Sequence, residues 1–150
     1  MAHEQTARNI VVVGASAGGV EALTSLFAAL PADLAAAVCV VLHISPEVPS
    51  QLSSILGRVS HLPVKIGSDQ ELIKSGQVYV ASADRHLMIE GDQIRITRGP
   101  REGRARPSVD VLFRSASIAF GPRVIGVVLS GALDDGTAGA WAIKDRGGLV

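Results

Sequence analysis

Apolar residues fall into two patterns along this chain: short β-branched runs, and stretches that repeat at helical spacing. Glycine and proline punctuate both. Residues 10–13, Ile-Val-Val-Val, read as a strand buried on both faces that stops at Gly14. Val20, Leu23, Leu26, Phe27 and Leu30 then share one face of a helix, which Pro31-Ala32-Asp33 ends. Residues 37–44 read as a second buried strand, closing in His43-Ile44-Ser45-Pro46. Pro49 suits the first turn of a helix carrying Leu52, Ile55 and Leu56. Strand, helix and strand in succession imply a right-handed crossover and a parallel sheet.

The middle of the chain changes rhythm. Val64–Ile66 and residues 78–81 are short strand candidates, and residues 86–90 and 93–97 flank Gly91-Asp92 as a hairpin. Residues 98–107 form a loop rich in glycine, proline and arginine. Ser108 is a good N-cap for a helix over residues 109–120, and Asp110 in its first turn suits the helix dipole. Residues 124–129 read as another buried strand, followed by a helix over about 137–146 that Gly147-Gly148 stops. Leu149-Val150 looks like a strand that has barely begun. The expected fold is α/β: a doubly wound, mostly parallel sheet with an antiparallel hairpin insert. Residues 1–9 form a short polar lead-in, and residues 10–150 form a single domain without repeats or an interdomain linker.

Composition narrows the class. A chain of 150 residues, 47% apolar and with mean hydropathy +0.34, can bury one core and is not disordered. With one Trp, one Tyr and three Phe, the apolar surface comes mainly from aliphatic residues, which favours helices on a β-branched sheet. Fourteen basic residues balance fourteen acidic ones, which argues against nucleic acid as a partner. The longest apolar run, residues 34–42, is too short to cross a bilayer, and the N-terminus lacks a signal peptide's pattern. Cys39 lies alone in that run and reads as a small buried hydrophobe. A cytoplasmic domain without membrane insertion is expected.

Chemistry gathers where the strands end. Ligands and reactive groups in open α/β sheets lie beyond the carboxyl ends of the parallel strands. Ser16 after the first strand, His43 at the end of the second, and Asp134-Asp135 after residues 124–129 all fall there. Gly14-Ala15-Ser16-Ala17-Gly18 fits G-x-S-x-G, in which a sharp strand-to-helix turn exposes a nucleophilic serine. A serine, an imidazole and a carboxylate together are what activated-serine chemistry needs. The helix after Ser16 would add backbone N–H donors for a developing oxyanion. Each residue also has a structural reading: Ser16 as a cap, His43 as a strand-end histidine, Asp134-Asp135-Gly136 as a turn and N-cap. A dinucleotide site is the weaker rival. Ser16 stands where G-x-G-x-x-G needs its second glycine, and no acid follows the second strand until Glu47.

Four separated segments carry a resemblance. They are Gly14-Ala15-Ser16-Ala17-Gly18-Gly19, VVLHISP around His43, RPSVDVLFRSA over residues 106–116, and LSGALDDGTAG over residues 129–139. Together, from about Asn9 to the end, they resemble the catalytic domain of CheB-type chemotaxis protein-glutamate methylesterases. The resemblance implies hydrolysis of glutamyl methyl esters on methyl-accepting chemoreceptors, and deamidation of glutamines, which some members add. It implies Ser16 as nucleophile, His43 as base and Asp135, directly before glycine, as the acid. Members often carry threonine where Ala17 stands and methionine where Ala132 stands, so backbone N–H groups at these two positions are expected to support the oxyanion. Partners implied are the receptor's cytoplasmic helices and the methyltransferase of the same pathway, with no cofactor. No receiver domain fits before Asn9, and the family continues with another strand and helix past Gly148, so truncation at the C-terminal end is expected.

Arg98, Arg101, Arg104 and Arg106 lie within nine residues, with Glu102 the only acid among them. They read either as a solvated loop or as a surface for the acidic face of a receptor bundle. His61 and His86 have no carboxylate or histidine at metal-ligand spacing; both read as structural or exposed, with no metal expected. The alternative to an esterase is a non-catalytic domain that binds a receptor or partner enzyme through these arginines.

Overall fold

A computed structural model describes residues 7, 9–43, 51–102, 106–129 and 135–150. Its elements run β1 (Ile10–Ser16), α1 (Val20–Ala29), β2 (Ala37–His43), α2 (Leu52–Val59), β3 (Val64–Ile66), β4 (Val78–Val80), β5 (His86–Glu90), β6 (Gln93–Thr97), α3 (Val109–Phe120), β7 (Val124–Leu129) and α4 (Thr137–Asp145). Five strands form one sheet in the order β3-β4-β2-β1-β7, every neighbouring pair parallel. The expected antiparallel hairpin follows β4 in the chain. β5 and β6 make their own two-stranded antiparallel sheet.

Alternation along the central strands sorts side chains to two faces. Val13 and Ala15 of β1, with Val38 and Val40 of β2, pack with Leu23 and Phe27 of α1 and Leu52 and Leu56 of α2. Ile10 and Val12, with Ala37, Cys39 and Val41, pack on the other face with Val109, Leu112 and Phe113 of α3 and Ile143 of α4. Helices on both faces of a parallel sheet make the doubly wound architecture. Each large aliphatic or phenyl side chain buried this way contributes roughly 1.5–3 kcal/mol. The hairpin joins the second face: Leu87, Ile89 and Ile94 share the core of α3, and the Ile89 N–H donates to Ser115 Oγ at 3.0 Å.

Local sequence explains the boundaries. α1 gives way at Leu30 to extended backbone (φ −67°, ψ 132°), which is what a residue before proline prefers. Ser108 caps α3 with its hydroxyl, which accepts from the Val111 N–H at 3.4 Å. Two features differ from the sequence reading. β1 continues through Gly14 to Ser16 because Gly14, Ala15 and Ser16 each keep a partner on β2. β7 is half exposed rather than buried: it is the outermost strand, and Ile125 and Val128 face outward. Leu149 adds a single parallel bridge to Ile125 on that edge. Pro49 and most of the lead-in lie outside the described residues.

Candidate active site

Two neighbouring strand ends bring the first two residues together. β1 and β2 run parallel in a register that sets Ser16 opposite His43. Partners in register point to the same face, and the alternation from Val12 and from Val41 puts that face on the α3 side. A short 3-10 turn, Ala17–Gly19, follows Ser16 and leads into α1, so Ser16 stands at the step from strand to helix.

Gly14 makes the closeness of α3 possible. A Cβ there would lie 2.4 Å from Val109 Cγ1, so only glycine lets the first residue of α3 sit over the end of β1. The N-terminus of α3 therefore meets the sheet edge where Ser16 and His43 end their strands.

Asp135 occupies that meeting point. Its side chain is 2% exposed, and one of its oxygens, Oδ2, lies 3.3 Å from His43 Nδ1. The separation is that of an ion pair, but the ring N–H is not aligned on the oxygen. His43 Nδ1 is thus buried with no aligned hydrogen-bond partner among the described residues. The carboxylate is otherwise fully engaged. Oδ1 accepts from Ser108 Oγ at 2.8 Å and from the Asp110 N–H at 2.9 Å, and Oδ2 accepts from the Val109 N–H at 2.6 Å. These are the orphan donors and the positive end of α3, a natural seat for a carboxylate.

The exchange is mutual. Asp110, in the first turn of α3, accepts through Oδ1 from the Gly136 N–H at 2.9 Å and the Gly139 N–H at 2.7 Å, at the start of α4. Gly139 in turn lets the helices touch, since a Cβ there would lie 2.5 Å from Phe113 Cβ. Each helix thus holds the other's first turn through an aspartate. The sequence places Asp110 on its own helix dipole and offers Asp135 as part of a turn and N-cap before α4. Asp135 instead caps α3, and α4 has Gly136 at its N-cap, with no side-chain cap. No pattern in the sequence connects residues 25 or more positions apart in this way, although RPSVD and DDG each carry one half of it.

The other candidates are placed as follows. Ala17 starts the 3-10 turn. Ala132 and Arg104 lie outside the described residues, as does Asp134. Arg98 and Arg106 converge on Asp84: Arg98 Nη2 reaches Oδ2 at 2.9 Å, and Arg106 donates from Nε to Oδ1 at 2.9 Å. Hydrogen bonds from Arg106 first, and then from Arg98, hold the Asp84 carboxyl below the usual carboxylate range. The Arg106 side chain is only 12% exposed, while that of Arg98 is 61% exposed and Arg101 is on the surface. His61 is exposed and His86 is buried. Among the described residues, no three His, Cys, Asp or Glu side chains group as a metal site would require, and no helix is long and apolar enough to cross a membrane.

Comparison with known proteins places the fold in a family. A family model described as CheB methylesterase matches residues 11–150. A protein-glutamate methylesterase/protein-glutamine glutaminase 2 of Methanosarcina mazei is 40% identical over 151 residues, covering 95% of this chain and 41% of its own length. A protein-glutamate methylesterase/protein-glutamine glutaminase of Archaeoglobus fulgidus is 38% identical over 144 residues, covering 93% of this chain and 41% of its own length. The chain therefore spans well under half of these relatives. The crystal structure of the Thermotoga maritima CheB methylesterase catalytic domain superposes with a TM-score of 0.86 at 33% identity, covering 93% of this chain and 76% of that one. With the family model running from residue 11 to residue 150 over the same fold, this chain belongs to the CheB methylesterase family.

Proposed function

We propose that the chain is a protein-glutamate methylesterase that uses Ser16, His43 and Asp135 as a catalytic triad. The observation that carries this reading is the Asp135 carboxylate 3.3 Å from His43 Nδ1, on the strand end in register with Ser16. Ser16 Oγ attacks the carbonyl carbon of a glutamyl methyl ester, and His43 takes the hydroxyl proton on Nε2. Asp135 fixes the ring and stabilises the imidazolium; its own hold on the first turn of α3 keeps it from swinging away. Backbone N–H groups at Ala17 and Ala132 receive the oxyanion of the tetrahedral intermediate. His43 returns the proton to the leaving methoxide, so methanol departs, and water then releases the glutamate by the same steps in reverse. A glutamine side chain passes through an equivalent intermediate and loses ammonia, which accounts for the glutaminase named in the relatives.

The substrate is the methylated helical bundle of a chemoreceptor, whose acidic surface suits the exposed Arg98 and Arg101 at the edge of the molecule. The methyltransferase of the same pathway is the second partner. Membranes carrying a tritium-methylated chemoreceptor provide the test. The chain should release labelled methanol, and Ser16→Ala should cut that release by at least about 10³-fold without unfolding the protein. Undiminished release by the variant would refute the mechanism; binding without release by either form would leave only the receptor-binding role.

A further inference from the structure

We propose that His86 is a positioning residue for Asp135, acting through Ser108; this rests on the triad reading above. His86 opens β5, is 2% exposed, and reaches the N-terminus of α3 through Ser108. Its two ring nitrogens meet groups of opposite kind. Nε2 lies 2.8 Å from the Pro100 carbonyl oxygen, which can only accept, so Nε2 carries the proton. Nδ1 accepts from the Ser108 backbone N–H at 3.3 Å, so it carries none. Two fixed backbone groups therefore select a single form of the ring, the neutral Nε2–H tautomer.

Ser108 transmits this. Its N–H is held by His86, and its hydroxyl oxygen accepts from the Val111 N–H at 3.4 Å. The one hydroxyl proton is then committed to Asp135 Oδ1, at 2.8 Å. His86, Ser108, Asp135 and His43 thus form a line from the hairpin to the end of β2. Asp135 needs such a backing because its alignment on His43 is not tight. A small displacement of the α3 N-terminus would turn the carboxylate away from the ring, and errors of about 1 Å in such a constellation cost on the order of 10²-fold in rate.

Two substitutions separate a positioning role from packing. His86→Asn keeps an oxygen near Nδ1 to receive the Ser108 N–H; His86→Gln keeps an amide near Nε2 but offers Ser108 nothing. On methylated receptor, His86→Gln should lower kcat about 10- to 100-fold with KM unchanged, and His86→Asn should restore most of it. Unchanged kcat in His86→Gln, or equal losses in both variants that track equal falls in Tm, would overturn the proposal. Nitrogen-15 spectra of the unsubstituted chain give a measurement independent of how the variants fold. They should show His86 unprotonated at Nδ1 and protonated at Nε2; the opposite tautomer would overturn it. Ser16→Ala, assayed alongside, keeps the two claims apart: activity surviving in that variant removes the triad reading, whereas its loss beside a fully active His86→Gln removes only the role of His86.

Discussion

At the scale of single residues, the account turns on Asp135. It does two things with one carboxylate, facing His43 with Oδ2 while capping α3 with both oxygens. Asp135→Asn keeps the shape but turns an NH₂ toward at least one donor that the carboxylate now accepts. Turnover should fall by about 10³- to 10⁴-fold, as expected when the orienting acid of such a triad becomes an amide. Loss of the charge-assisted cap should also cost about 1–2 kcal/mol, read as a lower midpoint in urea. That Ser16 and His43 lie at the carboxyl edge of the sheet is legible from the β-branched runs before them and the order of elements, although β1 runs on to Ser16 rather than stopping at Gly14. The choice of Asp135 over Asp134 came from resemblance alone. The backing by Ser108 was not legible, since it depends on how closely α3 approaches β1, and Gly14 reveals that only once Val109 is seen above it.

At the scale of elements, α3 and α4 act as one unit: Asp135, just before α4, accepts from the first turn of α3, and Asp110 of α3 accepts from the start of α4. Asp110→Ala removes the one oxygen that accepts from both the Gly136 and the Gly139 N–H. A lost cap of this kind costs about 0.5–2 kcal/mol. Here the same change frees the segment that bears Asp135, so turnover should fall further than Tm alone would suggest. An activity loss no greater than that of a destabilised control, such as Leu112→Ala in the middle of α3, would show that capping and catalysis are separate. Helix and strand boundaries were largely legible: the hairpin over residues 86–97, α3 and β7 fall where periodicity and turn chemistry put them. Two features were not. β7 carries the β-branched signature of a buried strand, yet lies at the edge of the sheet, because residue pattern reports apolarity and not strand order. The hairpin's place as a separate sheet on α3 was hidden for the same reason.

At the scale of the whole molecule, the parallel sheet is buried on both faces along β1 and β2, and Ser16 and His43 stand at its carboxyl edge. Cys39 reports on that core. It lies in the middle of β2, and burial pushes its thiol up to about 12. Almost no thiolate exists at pH 8, so a chromogenic disulfide should react with Cys39 only as fast as the sheet opens. Its rate should rise with urea in step with global unfolding; rapid reaction in native buffer would mean that the two-faced core is wrong. The central claim concerns the other end of the strands, where one hydroxyl is singled out from all the serines of the chain. Labelling with a fluorophosphonate, followed by peptide mass spectrometry, tests it most directly. The account predicts one adduct, on Ser16, lost in Ser16→Ala and formed far more slowly in Asp135→Asn. An adduct on another serine, or full methanol release from a chain that forms none, would contradict it.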